Sequence, residues 1–103
     1  TKSFTYAELG CGLGHGTSLM AATHPEGEFY GFDFNPQQIG IASRLSGEAG
    51  LNNIHFLERS FEELASQDTH GLPQFDYIVL SIVIAILMLL IWILSSLELN
   101  YLK

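Results

Sequence analysis

The sequence predicts an α/β fold: a mostly parallel sheet of about four strands with flanking helices, incomplete as a domain and followed by an apolar C-terminal helix. Three observations support this prediction. Strand-like segments begin at residues 4, 28, 53 and 75, a spacing typical of strand–helix–strand crossovers. Helix start and stop signals lie between these segments. A run of alternate glycines directly follows the first of them.

The four strand-like segments are rich in apolar, β-branched and aromatic residues and are bounded by turn residues. They are Phe4–Leu9, Glu28–Asp33, Asn53–Glu58 and Phe75–Leu80. Because they alternate with helical segments, we expect parallel pairing with right-handed crossovers.

Three helices are expected between the strands, over Thr17–Thr23, from Asn35 to Gly50, and over Phe61–Ser66. The second has the clearest signals, because Asn35 can cap it, Pro36 suits its first position and Gly50 follows its last turn. Apolar residues recur in it at helical spacing and are expected to face the sheet; they are Ile39, Ala42, Leu45 and Ala49. A turn at Gly71-Leu72-Pro73 leads into the fourth strand.

Composition excludes several classes of function. The 103 residues suit one domain, and 4 Lys+Arg against 11 Asp+Glu give a net charge of −7, so we expect no nucleic-acid partner. A single cysteine, Cys11, excludes an internal disulfide framework and indicates a cytoplasmic location. No metal site is expected, because the histidines lack ligand spacing; they are His15, His24, His55 and His70.

The strongest motif is the stretch Glu8-Leu9-Gly10-Cys11-Gly12-Leu13-Gly14-His15-Gly16. Glycine is needed in such a turn where the backbone adopts positive φ or a ligand approaches it closely. Asp33 ends the second strand 21 residues after Gly12, and a carboxylate there can accept hydrogen bonds from both hydroxyls of a ribose. Cys11 and His15 are expected to be structural.

The dehydrogenase pattern G-x-G-x-x-G/A fails in every register of these glycines. The pattern E-x-G-x-G-x-G instead resembles class I S-adenosylmethionine-dependent methyltransferases, which have a Rossmann-like fold. The resemblance continues through Gly31-Phe32-Asp33-Phe34-Asn35-Pro36, Asn53–Phe61 and Phe75–Leu80. It is closest to methyltransferases that carry an appended regulatory domain. A dehydrogenase remains the third and weakest hypothesis.

The resemblance implies S-adenosylmethionine as cofactor and methyl transfer to an acceptor that the sequence does not identify. Glu8 and the backbone of Gly10, Gly12 and Gly14 would surround the methionine part. Asp33 would hold the ribose and Phe34 would lie against the adenine, which Ser60 and Phe61 would border. Many family members have Asp where Ser60 stands, so adenine affinity is expected to be weaker here. No catalytic residue is identified.

The resemblance ends at Leu80, which divides the chain into a cofactor-binding part, 1–80, and an apolar tail, 81–103. From Tyr77 to Leu94 every residue but Ser81 is apolar or aromatic. Three hypotheses follow for the tail: a truncated or frame-interrupted product, a helix buried by packing or self-association, or a membrane anchor. The alternative function is a non-catalytic nucleoside-binding remnant, truncated or attached to a membrane.

Overall fold

The computed structural model describes residues 2–66 and 71–101, except the side chains of residues 82–84 and 99–101. His70 and Lys103 lie outside the described residues. Strands and helices alternate along the chain, as predicted. The elements are β1 (Phe4–Leu9), α1 (His15–Thr23), β2 (Gly27–Asp33), α2 (Pro36–Glu48), β3 (Ile54–Glu58), α3 (Phe61–Ala65), β4 (Tyr77–Leu80) and α4 (Ile82–Tyr101).

The four strands form one parallel sheet in the order β3-β2-β1-β4, which confirms the predicted fold class. In the register of the sheet, Leu9 pairs with both Phe32 and Leu80, and Asp33 pairs with Glu58. The carboxyl ends of the strands therefore meet along one edge. Ligands of open parallel sheets bind at this edge.

Helix α2 begins as predicted, but its buried face differs from the predicted one. Asn35 Oδ1 accepts a hydrogen bond from the backbone N–H of Gln37 over 3.0 Å. Ile39 and Ala42 are buried, whereas Leu45 and Ala49 are exposed and Ser46 is buried in their place. Ser46 lies seven residues after Ile39, which is close to two full turns, so both are on the same face of the helix. Leu45 and Ala49 lie six and ten residues after Ile39 and are rotated away from that face.

Strand β2 begins one residue earlier than predicted, and β3 and β4 begin one and two residues later. A polar side chain just before β3 and another just before β4 are hydrogen-bonded to neighbouring segments. Asn53 is buried and lies before β3, and its Nδ2 donates to the carbonyl oxygens of Ala21, His24 and Gly27 over 3.0–3.2 Å. Asp76 precedes β4, where its Oδ2 accepts from the backbone N–H of Thr5 over 2.8 Å.

The C-terminal part of the described chain exposes apolar side chains. Strand β4 is the last strand of the sheet, and Tyr77 and Ile78 are 58% and 64% exposed. Helix α4 exposes Leu90 and Trp92 among others. Within residues 2–66 and 71–101, none of the helices combines the length and the apolar character that a membrane crossing requires.

Candidate functional site

The turn between β1 and α1 adopts a backbone that only glycine adopts freely. Gly10, Gly12 and Gly14 have φ values of 74°, 59° and 77°, in the left-handed region. The backbone N–H groups of Gly10 and Cys11 both donate to the carbonyl oxygen of Phe32, over 2.7 and 3.0 Å. These bonds fix the glycine turn to the end of β2.

Asp33 lies at the end of β2 directly beside this turn. Its Oδ2 accepts from the backbone N–H of Gly12 over 3.0 Å, and its Oδ1 accepts from the backbone N–H of Asn35 over 2.9 Å. An ionised carboxylate can accept about four hydrogen bonds. Asp33 is 9% exposed. Because each of its two oxygens accepts one backbone hydrogen bond, the carboxylate is held in place and can still accept hydrogen bonds from hydroxyl groups.

Two adjoining cavities of about 390 Å³ each open at the carboxyl edge of the sheet, and both are lined by Gly10, Asp33 and Phe34. The first, which we name the apolar lobe, extends towards α3 and is lined mainly by apolar side chains, with Arg59, Ser60 and Glu62 adding polar groups. The apolar side chains beyond Phe34 are Phe32, Phe61, Leu64 and Leu87.

The second cavity, which we name the polar lobe, extends towards the start of α2. It is lined by Cys11, Gly12, Asn35, Gln38 and Ser81 besides the three shared residues. Together the two lobes have the volume of an ordinary small-ligand site. Six of the eight predicted site residues line them: Gly10, Gly12, Asp33, Phe34, Ser60 and Phe61.

Gly14, the seventh predicted site residue, lines neither lobe and faces the core instead. A Cβ added to Gly14 would lie 2.5 Å from Cζ of Phe56 and 3.0 Å from Cβ of Ala42. Its missing side chain therefore allows the glycine turn to pack against β3 and α2.

Glu8, the eighth, also lines neither lobe and is directed towards the first turn of α1. A Cβ added to Gly16 would lie 3.7 Å from Oε2 of Glu8. Burial raises the pKa of the Glu8 carboxyl, and the Thr17 hydroxyl beside it lowers that pKa by a smaller amount. The Thr17 hydroxyl is buried and has no hydrogen-bond partner among the described residues.

Ser60 lines the apolar lobe and also caps the start of α3. Its Oγ accepts from the backbone N–H of Glu63 over 3.1 Å, and Oε1 of Glu63 accepts from the backbone N–H of Ser60 over 3.0 Å. This reciprocal pair is a capping box at the start of α3. One lone pair of the Ser60 oxygen is thus already occupied.

Cys11 is buried in the glycine turn, in agreement with the structural role expected for it. Burial is the largest cause that raises the pKa of its thiol to about 12, followed by the negative charges of Asp33 and Glu8. The thiol is therefore neutral at physiological pH and is a poor nucleophile.

Nine residues that line the cavities were absent from the predicted site: Cys11, Phe32, Asn35, Gln38, Arg59, Glu62, Leu64, Ser81 and Leu87. Gln38 and Arg59 had a usable signal, since each lies close in sequence to a predicted site residue at a strand end. Leu87 had none, because it lies in the apolar tail beyond Leu80, where the last motif identified in the sequence ends.

A glycine turn and an acidic residue at neighbouring strand ends of a parallel sheet define a nucleoside-binding α/β domain. The chain belongs to the family described as "Methyltransferase domain", whose model matches residues 1–98. This match and the solved relatives confirm the predicted class, S-adenosylmethionine-dependent methyltransferases, with S-adenosylmethionine as the cofactor of the class.

The relatives are considerably longer than this chain. The uncharacterized protein sll1526 of Synechocystis sp. is 51% identical over 79 residues, which are 77% of this chain and 15% of that protein. A tRNA (guanine-N(7)-)-methyltransferase of Burkholderia cenocepacia is 33% identical over 55% of this chain and 22% of its own. The structure of PKMT2 from Rickettsia typhi in complex with AdoHcy has a TM-score of 0.65 and 28% identity, over 76% of this chain and 14% of that one.

Proposed function

We propose that this chain binds S-adenosylmethionine in the two lobes and forms the cofactor-binding part of an enzyme that methylates an acceptor. The observation that carries the proposal is the contact of Asp33 with Gly12, which joins the acidic residue and the glycine turn at the junction of the lobes. The cofactor supplies a methyl group already activated by its sulfonium. The protein then has to align the acceptor and exclude water.

Six of the eight predicted site residues line the lobes and would contact the cofactor. Asp33 holds the ribose hydroxyls, which its remaining acceptor capacity supports. Phe34 is 67% exposed and offers its ring to the adenine, which Ser60 and Phe61 border in the apolar lobe. The backbone of Gly10 and Gly12 approaches the ligand most closely, while Glu8 and Gly14 support the turn from behind.

We propose that this part of the protein does not bind nucleic acid. Relatives include tRNA (guanine-N(7)-)-methyltransferases, but binding of RNA backbone requires clustered cations. This chain has four Lys and Arg residues against eleven Asp and Glu. We further propose that it acts in the cytoplasm.

We also propose that residues 1–80 form the main part of the cofactor-binding unit, to which Ser81 and Leu87 add lining side chains, and that α4 associates with a second copy of the chain. Support comes from its exposed apolar side chains, among them Ile91, Trp92 and Leu94 at 56%, 67% and 61%. Sedimentation velocity at increasing protein concentration tests this, and a monomer throughout would contradict it. Co-flotation with lipid vesicles would indicate membrane contact instead.

The main test is calorimetry of the full chain with S-adenosylhomocysteine. We expect saturable binding that Asp33→Asn weakens at least tenfold, because the uncharged amide is a poorer acceptor for two hydroxyls. Asp76→Asn is the matched control at the opposite edge of the sheet, and it should leave affinity unchanged. Absence of binding by a folded sample, or binding of NAD in its place, would overturn the proposal. Binding without turnover on any acceptor would favour the non-catalytic remnant.

A further inference from the structure

The apolar lobe is lined by one side chain from α4, a helix that the proposed cofactor site does not otherwise use. That side chain is Leu87. We infer that Leu87 closes the apolar lobe over the purine base of the bound cofactor, so that α4 is part of the cofactor site. The inference rests on the proposed function and extends it to the apolar tail.

The position of Leu87 follows from the way α4 starts. The backbone N–H of Ser81 donates to the carbonyl oxygen of Leu9 over 3.1 Å, and that of Ala85 donates to the carbonyl oxygen of Ser81 over 3.0 Å. The helix therefore begins directly at the carboxyl end of β4, on the edge where Gly10 and Asp33 lie. Leu87 is five residues into the helix, about 7.5 Å along its axis.

The chemistry of the lobe selects the base over the other parts of the cofactor. The lobe presents the apolar surface of Phe34, Phe61, Leu64 and Leu87. Transfer of a flat aromatic base from water to such surroundings costs little free energy. The charged amino and carboxylate groups of the methionine part would lose their hydration there without gaining hydrogen bonds or ion pairs that compensate for it. Asp33 lies between the two lobes, so a ribose held by Asp33 can place its base in the apolar lobe.

Leu87 and Phe34 are 51% and 67% exposed without ligand. A base inserted into the lobe they line removes part of both side chains from water, and this burial contributes to affinity. The contribution of Leu87 corresponds to a change in dissociation constant of about fivefold, since roughly half of a leucine side chain is available for burial.

The test is calorimetry of S-adenosylhomocysteine with the full-length variants Leu87→Ala and Leu87→Met over a range of temperatures. We expect Leu87→Ala to bind about fivefold more weakly, with a less negative heat-capacity change, because less apolar surface is buried. Leu87→Met keeps the apolar contact and should bind as the unaltered chain does. The matched control is Leu89→Ala, which removes a leucine of similar exposure, 56% against 51% for Leu87, from the opposite side of α4.

Equal affinity and equal heat-capacity change for Leu87→Ala and the unaltered chain would overturn the inference while leaving the proposed function in place. Equal losses in Leu87→Ala and Leu89→Ala would also overturn it, because they would indicate a general effect on α4. If the unaltered chain does not bind S-adenosylhomocysteine, the proposed function itself fails. Circular dichroism of each variant establishes that the fold is retained, which is expected for a half-exposed position.

Discussion

Oδ2 of Asp33 accepts a hydrogen bond from the backbone N–H of Gly12 over 3.0 Å, between the end of β2 and the glycine turn. The two residues are 21 positions apart in sequence. With the second bond from the backbone N–H of Asn35, this carboxylate connects both strand-to-helix turns of the site. The turn is therefore held in its left-handed conformation before any ligand binds, which lowers the ordering cost of binding.

The first prediction is that Asp33 also stabilises the ligand-free fold. Asp33→Ala removes two charge-assisted hydrogen bonds and leaves two backbone donors without their acceptor, so we expect the free energy of unfolding to fall by about 2–4 kcal/mol. Urea denaturation measures it. Glu48→Ala, at an exposed position of α2, is the control and should change stability by less than about 0.5 kcal/mol. Equal stability of the two variants would mean that these contacts contribute nothing to the fold.

The second prediction separates two glycines by what surrounds them. Gly14→Ala places a Cβ 2.5 Å from the Phe56 ring at a φ of +77°, and we expect a loss of more than about 2 kcal/mol or failure to fold. Gly40→Ala meets nothing within 4 Å inside α2. It should stabilise the protein by about 0.5–1 kcal/mol, because alanine favours helix more than glycine does. Thermal unfolding of both variants provides the comparison.

The contrast between Gly14 and Gly40 shows what local sequence can predict. Caps, turn glycines and strand ends depend on residues a few positions apart, so Asn35, Pro36 and the glycine turn could be located from the sequence. The burial of Ser46 in place of Leu45, and the packing of Gly14 on Phe56, depend on how elements meet in three dimensions. Leu87 was missed because no motif of the family was identified beyond Leu80, although the family model matches residues 1–98.

The third prediction concerns the base-binding end of the site. Ser60→Asp keeps an N-cap oxygen for the backbone N–H of Glu63 and adds a charged acceptor beside the apolar lobe. If the adenine amino group lies there, the Ser60→Asp variant should bind S-adenosylhomocysteine several-fold more tightly than the unaltered chain does. The inosine analogue of S-adenosylhomocysteine lacks that amino group, and its affinity should not increase. Ser60→Ala loses the cap, at about 1 kcal/mol. A Ser60→Asp variant that binds both ligands equally well would argue against an adenine amino group at this place.

The fourth prediction is a pH dependence from Cys11. Its folded pKa of about 12 exceeds the ordinary value of 9.0, so the folded state keeps the proton while the unfolded chain releases it. The resulting stability is complete below pH 9 and is lost as the pH rises towards 12, by up to about 1.4 kcal/mol per pH unit. Burial also raises the pKa of Tyr6 and Tyr30, and their effect is common to both proteins compared. Unfolding free energies at pH 8, 9 and 10 should therefore fall more steeply in the unaltered chain than in Cys11→Ala.

The fifth prediction is that Glu8 lowers the stability of the fold at pH 7 and at the same time strengthens cofactor binding. Because burial raises the pKa of this carboxyl above its usual value, the stabilising proton is bound at low pH and is lost as the pH rises through the folded pKa. The ionised carboxylate is then a cost to the fold at pH 7, and Glu8→Gln should be more stable than the unaltered chain at pH 7, with the advantage shrinking towards pH 4. If Glu8 supports the cofactor site, the same variant binds S-adenosylmethionine more weakly. Urea denaturation at both pH values and calorimetry at pH 7 measure the two effects, with the exposed Glu48→Gln as control. A variant that gains stability without losing affinity would show that Glu8 acts on the fold alone.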